Sequence, residues 1–324
     1  MPPTPIVIRA VIVAAFEPES GPIPGELRHF IDRQNLTERL PLPAAYRPLY
    51  FNPETGILGP VLGVVTGVGA ARAAASITAL GLDPRFDLTH ALWLITGVAG
   101  IDPARGSLAS VALPEYVVDG ALTHELDARE IPPNDPAWPD GFVPIGKSLP
   151  CEQPLAHRFN GDDGIVFRLN PTLVAHAFSL LRDTPLLDTE SMAARRQQFT
   201  PAAARQPPAI LRGDELASTT FWHGALLSRR AARWVDYQTA GRATYAITAM
   251  EDAGILQSLT FLAAAGRVDL ARVLILRAAS NYDQQRPGVT AAESLIESRV
   301  AANSAYLPAL ENVHRAATRL LQEL

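Results

Sequence analysis

The sequence is poor in cysteine, in long apolar runs and in positive charge. A single cysteine, Cys151, stands among 324 residues. No internal disulfide and no thiolate metal cluster can therefore form. Nothing near Cys151 resembles a catalytic cysteine motif, so it reads as an inert thiol in a proline-rich loop. The longest uncharged stretches, 56–71 and 88–101, fall short of the roughly 20 residues that a spanning helix needs. No membrane span is expected. The amino terminus has no basic segment and Arg9 interrupts its apolar run, so no signal peptide is expected and the location reads as cytoplasmic. A net charge of −5 argues against a nucleic-acid partner, which calls for a basic face. The pairs Arg195-Arg196 and Arg229-Arg230 have few aromatics among them and read as solvated helix faces.

What is present is enough apolar content, 48% against 19% charged, for a large core. The stretch Leu92 to Gly100 (LWLITGVAG) organises the rest. An unbroken apolar run suits a strand buried on both faces of a parallel sheet, and glycines at its carboxyl end let a ligand approach the backbone. Three other runs behave alike. Ile6 to Phe16 leads into Glu17 and Glu19, Gly63 to Val65 into a glycine turn and the helix Ala70 to Ala79, and Arg272 to Leu276 into Ser280-Asn281. Gly106 to Leu113 reads as a further strand, Glu26 to Gln34 as a short helix, and Met250-Glu251 as the opening of another. Ligands of open α/β sheets lie beyond the carboxyl ends of strands. Candidate ligand groups therefore cluster at four strand ends.

Other features carry less chemistry. Gly67-x-Gly69 lacks the third glycine of a dinucleotide fingerprint, since Arg72 stands there, and no nicotinamide cofactor is expected. His124-Glu125 would point to opposite faces of a strand, so no metal is expected. Residues 128–213 are rich in proline and glycine and read as an insertion on a single domain spanning 1–324. Within it, Asn170 and Pro171 open a helix. Thr220, Phe221 and Trp222 offer rings and hydroxyls suited to a flat heterocycle. Thr290 and Glu293 have capping-box spacing, and Pro308 begins a terminal helix.

Five short motifs, in order, resemble those of the nucleoside phosphorylase superfamily and its methylthioadenosine/adenosylhomocysteine nucleosidase branch. They are Phe16-x-x-Glu19, Thr66-Gly67-Val68-Gly69, Thr96 to Gly100, Met250-Glu251 and Arg277 to Asn281. Over nearly its whole length the chain looks like a bacterial member of the purine nucleoside permease family. The resemblance implies a three-layer α/β/α fold around a mixed, mostly parallel twisted sheet. It implies a purine nucleoside as ligand, phosphate as a second candidate partner, no cofactor, and a homo-oligomer. Carried across, Glu19 would activate water and Asn281 would hydrogen-bond the leaving base, with Asp283 partly substituting for the acid that the nucleosidases carry in place of Asn281. Glu251 and Met250 would hold the sugar. Thr66, Val98, Ala99, Gly100 and Ser280 would line the pocket, and Phe221, with Thr220 and Trp222, would hold the purine. Asparagine at 281 departs from the nucleosidase aspartate, and an amide is no acid. No arginine-serine phosphate cradle is evident, so hydrolysis is expected ahead of phosphorolysis. The alternative is a nucleoside-binding protein that serves uptake without catalysis.

Overall fold

The computed structural model describes residues 4–55, 59–150, 160, 164–298 and 305–323. Aliphatic runs without polar alternation need cover on both faces, and here they receive it. Ala10–Ala14 is buried throughout, and Leu92–Ile101 is buried except at Val98. These two strands run parallel, flanked by Gly59–Val65 on one side and Val273–Tyr282 on the other, also parallel. They form the centre of a twelve-stranded, twisted, mixed and mostly parallel sheet. Tyr245–Ala249, Asp214–Ala217 and Tyr116–Asp119 extend it one way, and Leu49–Thr55 with Glu38–Leu40 the other.

Helices cover this sheet in an α/β/α arrangement. Ala70–Gly81 packs against Asp252–Ala264, while Tyr306–Glu323 lies on Val273–Tyr282 and Leu92–Ile101. The central strand changes partner along its length. It pairs with Ala10–Ala14 only as far as Ile95, and meets Tyr245–Ala249 from Gly100 onward. Between them lies Gly97, at φ +151°, where an added Cβ would collide with Arg277 and Glu26. That change of partner opens a notch in the sheet, the sort of switch point at which α/β proteins bind ligands.

Local signals in the sequence are met in several places. Asn170 Oδ1 accepts from the Thr172 and Leu173 amides at the start of helix Pro171–Leu181. Thr290 and Glu293 cap each other reciprocally. Pro308 lies in the first turn of Tyr306–Glu323.

Four expectations need correction. Ile6 to Phe16 is not one strand: Ile6–Val7 pairs with Phe86–Asp87 outside the main sheet. Only Val111–Leu113 of the run from Gly106 is strand, because Ala109 takes a left-handed turn at φ +61°. The short helix begins at Arg28, which leaves Glu26 in the loop before it. Arg196 is not on a solvated face but buried and paired with Asp188, and Arg195 reaches Glu297. Among the described residues of 128–213, Val166–Arg168 pairs with Tyr116–Asp119 in the main sheet, and Val174, Ala177 and Leu181 join the central cluster. Cys151 lies outside the described residues.

Candidate active site

The notch beside Gly97 is a cavity of about 220 Å³. Ala15 and Phe16 enter it from the end of the first central strand, Val98 to Gly100 from the second, and Thr248 to Glu251 from the strand Tyr245–Ala249. Ser280 and Asn281 arrive from Val273–Tyr282, and Glu26, Val68, Phe221 and Tyr306 complete the wall. A larger cavity, about 550 Å³, opens at the amino ends of the strands, around Arg9, Leu92 and Arg272. It holds none of the motif residues.

Two carboxylates define the site's chemistry. Glu26 Oε2 accepts from the amides of Ala15 (2.9 Å) and Phe16 (3.1 Å), and Oε1 from that of Val98 (2.8 Å). Its position depends on Gly25, where a Cβ would strike the backbone of Phe16 and Glu17. Glu251 follows Met250 at the start of helix Asp252–Ala264, and its Oε1 accepts from the Gly69 amide at 3.0 Å. Burial pushes its carboxyl up to about 7, with the Glu26 and Asp252 charges adding to the rise and Arg277 opposing it.

Both carboxylates face one guanidinium. Arg277, 1% exposed, places Nη1 3.8 Å from Glu26 and Nη2 3.6 Å from Glu251 while pairing in a fork with Asp252. Burial works against its charge, and the surrounding carboxylates outweigh burial and keep it cationic. Behind Asp252 lies Glu215, 0% exposed, raised well above the usual carboxyl range by burial and then by the Asp252 charge.

The structure gathers Val98, Ala99, Gly100, Phe221, Met250, Glu251, Ser280 and Asn281 around the cavity. Five other sequence candidates lie elsewhere. Glu19 is exposed and pairs with Arg47, away from the notch, because the proline-rich loop carries it outward. Thr66 is fully buried and its hydroxyl is spent on the Gly67 carbonyl. Thr220 and Trp222 flank Phe221 but line a separate cavity with Phe142 and Arg230. Asp283 is buried behind the wall, where its Oδ2 accepts from Ser228 (2.8 Å) and Tyr245 (2.7 Å). Burial raises its carboxyl to about 7. The sequence assigns no site role to Glu26, Thr248 or Tyr306, and Phe16 and Val68 enter only as motif members, yet all five line the cavity. The Gly25-Glu26 pair just before a short helix was the available signal for the first; Tyr306 had none. Among the described residues, no group of three His, Cys, Asp or Glu side chains is placed to hold a metal.

Solved structures define the class of fold. The chain superposes over 98% of its length on a Helicobacter pylori methylthioadenosine nucleosidase variant holding 5'-methylthioadenosine, covering 99% of that chain at TM-score 0.57 and 15% identity. A Streptococcus pneumoniae methylthioadenosine/adenosylhomocysteine nucleosidase with 8-aminoadenine gives TM-score 0.57 and 16% identity, with 98% and 100% covered. What these share with the chain is the nucleoside phosphorylase fold. Within it, residues 7–324 match the family described as purine nucleoside permease, and the chain belongs to that family. A Schizosaccharomyces pombe protein named probable purine nucleoside permease is 31% identical over 265 residues, 81% of this chain and 74% of that one. A Candida albicans purine nucleoside permease is 31% identical over 262 residues, of whose length this chain spans 63%. No helix among the described residues is long and apolar enough to cross a membrane.

Proposed function

We propose that this protein binds a purine nucleoside and hydrolyses its N-glycosidic bond. The carrying observation is that Glu26 and Glu251 line one cavity and share one buried arginine. N-glycoside cleavage passes through an oxocarbenium-like sugar, which fixed negative charge stabilises. Glu251 would accept hydrogen bonds from the ribose hydroxyls, with Met250 packed on the sugar.

Glu26, not Glu19, is the residue we assign to the attacking water. A carboxylate offers about four lone-pair sites. Three backbone amides fix the orientation of Glu26 and leave room for one more donor, which water would supply. Asn281 would hold the departing base by hydrogen bonding.

Water is favoured over phosphate because none of the described side chains lining the cavity is cationic. Arg47 is engaged by Glu19, and Arg72 donates to the Val68 carbonyl of its own turn. The test is to incubate the protein with inosine, guanosine and adenosine, with and without phosphate, and follow free base. Base should appear without phosphate. A homo-oligomer, which light scattering would detect, belongs to the same proposal.

One observation favours a second reading, binding without turnover in the service of uptake. Among the described residues lining the cavity, the carboxyls are those of Glu26 and Glu251, already assigned to water and sugar, and the amide of Asn281 cannot protonate the leaving base. Calorimetric binding of a nucleoside with no base released under either condition would select that reading.

A further inference from the structure

A second cavity, about 210 Å³, adjoins the first across Phe221, Ser280, Asn281 and Tyr306, which line both. Neither alone reaches the roughly 300 Å³ at which small-molecule pockets begin, whereas the two together do. Phe199, Phe221, Tyr282 and Tyr306 bring aromatic faces to the second cavity, with the Phe199 and Tyr282 rings 4.0 Å apart. Its polar lining includes Arg195 and His223. Arg195 stands in helix Glu190–Arg196, part of the 128–213 segment that no sequence motif explained. Its Nη1 meets Glu297 at 3.4 Å, and Glu297 is divided between Arg195 and Arg286. A guanidinium has five donors and no acceptor, more than this shared carboxylate takes up.

Resting on the nucleoside reading above, we infer that the second cavity takes the purine, and that Arg195 selects a 6-oxopurine over a 6-aminopurine. With the sugar against Met250 and Glu251, a base lying past Asn281 enters between the aromatic walls. A 6-oxo group is an acceptor and complements the donor-only guanidinium. A 6-amino group is a donor and would leave two sets of N–H facing each other. Sites built to hydrogen-bond one substituent discriminate in this way because the wrong partner leaves buried polar groups unpaired. His223, whose Nε2 is 3.0 Å from Ser294 Oγ, lies in the same wall, where burial and the Arg195 charge disfavour its protonation.

The test compares inosine, adenosine and purine riboside, which lacks any 6-substituent, on the full chain, reading both binding affinity and release of base. Inosine should lead the other two by about 10- to 100-fold, the range of a charge-assisted hydrogen bond. Arg195→Gln should bring inosine down to the level of purine riboside while leaving purine riboside unchanged. If Arg195→Gln disturbs folding, the ligand series on the unaltered protein still decides. Adenosine equal to or better than inosine, an equal loss for all three ligands in the variant, or a phosphate requirement that vanishes with Arg195 each overturns the assignment. Failure of every nucleoside to bind would instead overturn the nucleoside reading itself.

Discussion

Glu19 and Glu26 leave the same strand on the same loop and finish in opposite environments. The Glu19 side chain is 67% exposed beside Arg47, whereas that of Glu26 is 5% exposed and held by three backbone amides. Nothing in the residue type separates them. What does is the path of the backbone: Gly25 lets the loop press against Phe16 and Glu17, which turns the next side chain inward. An exposed ion pair contributes little and is screened by salt; a carboxylate oriented by fixed amides beside a buried cation is prepared for chemistry.

The comparison breaks first, if it is wrong, on paired substitutions. Glu26→Gln should lower the rate of base release by about 10²- to 10⁴-fold, the usual contribution of a positioned general base. Glu19→Gln should stay within about twofold. Equal losses, measured under identical conditions, would remove the distinction. Next in size is Arg277→Met, which strands Asp252, Glu26 and Glu251 without their shared cation. Breaking a buried pair from one side costs about 3–5 kcal/mol, which urea unfolding would read. Gly25→Ala should cost about 1–3 kcal/mol by forcing the backbone apart, and should impair base release beyond that loss by displacing Glu26. A variant with unchanged stability and rate would show that Gly25 does not set the position of Glu26.

The smallest effect sharpens the comparison through pH. Glu251 and Asp283 both have carboxyls raised to about 7 in the folded protein. Groups raised on folding bind more protons folded than unfolded, so their contribution is full below about pH 4 and fades as pH climbs through 7. Across pH 5 to 8 the melting temperature should fall, and less so in Glu251→Gln. Nucleoside affinity should move oppositely, rising through pH 7 as Glu251 ionises and becomes a better acceptor for ribose hydroxyls.

The sequence carried the strand ends clearly because buried parallel strands write themselves as unbroken apolar runs, and caps such as Asn170 announce themselves locally. It also placed Glu251, Met250 and Asn281 at the cavity, since each directly follows or ends a core strand. It failed wherever a loop intervened. Preferring Glu26 to Glu19 requires knowing where a proline-rich connection folds back. Thr220, Phe221 and Trp222 read as one group in the sequence, but neighbours in extended backbone point apart and of the three only Phe221 reaches the notch. Arg196 looked like a surface charge because the sequence does not show Asp188 waiting for it.

Tyr306 has one consequence for how the molecule is made. Its hydroxyl donates to the Pro24 carbonyl, joining positions 282 residues apart, and its ring walls the cavity next to the loop that bears Glu26. Closing so long a span costs entropy before it returns anything, and such contacts form slowly. During refolding from denaturant, the sheet should therefore be in place while the binding cleft is still unfinished. Ligand competence should lag behind the recovery of secondary structure, because the last piece of the vessel is also the farthest along the thread.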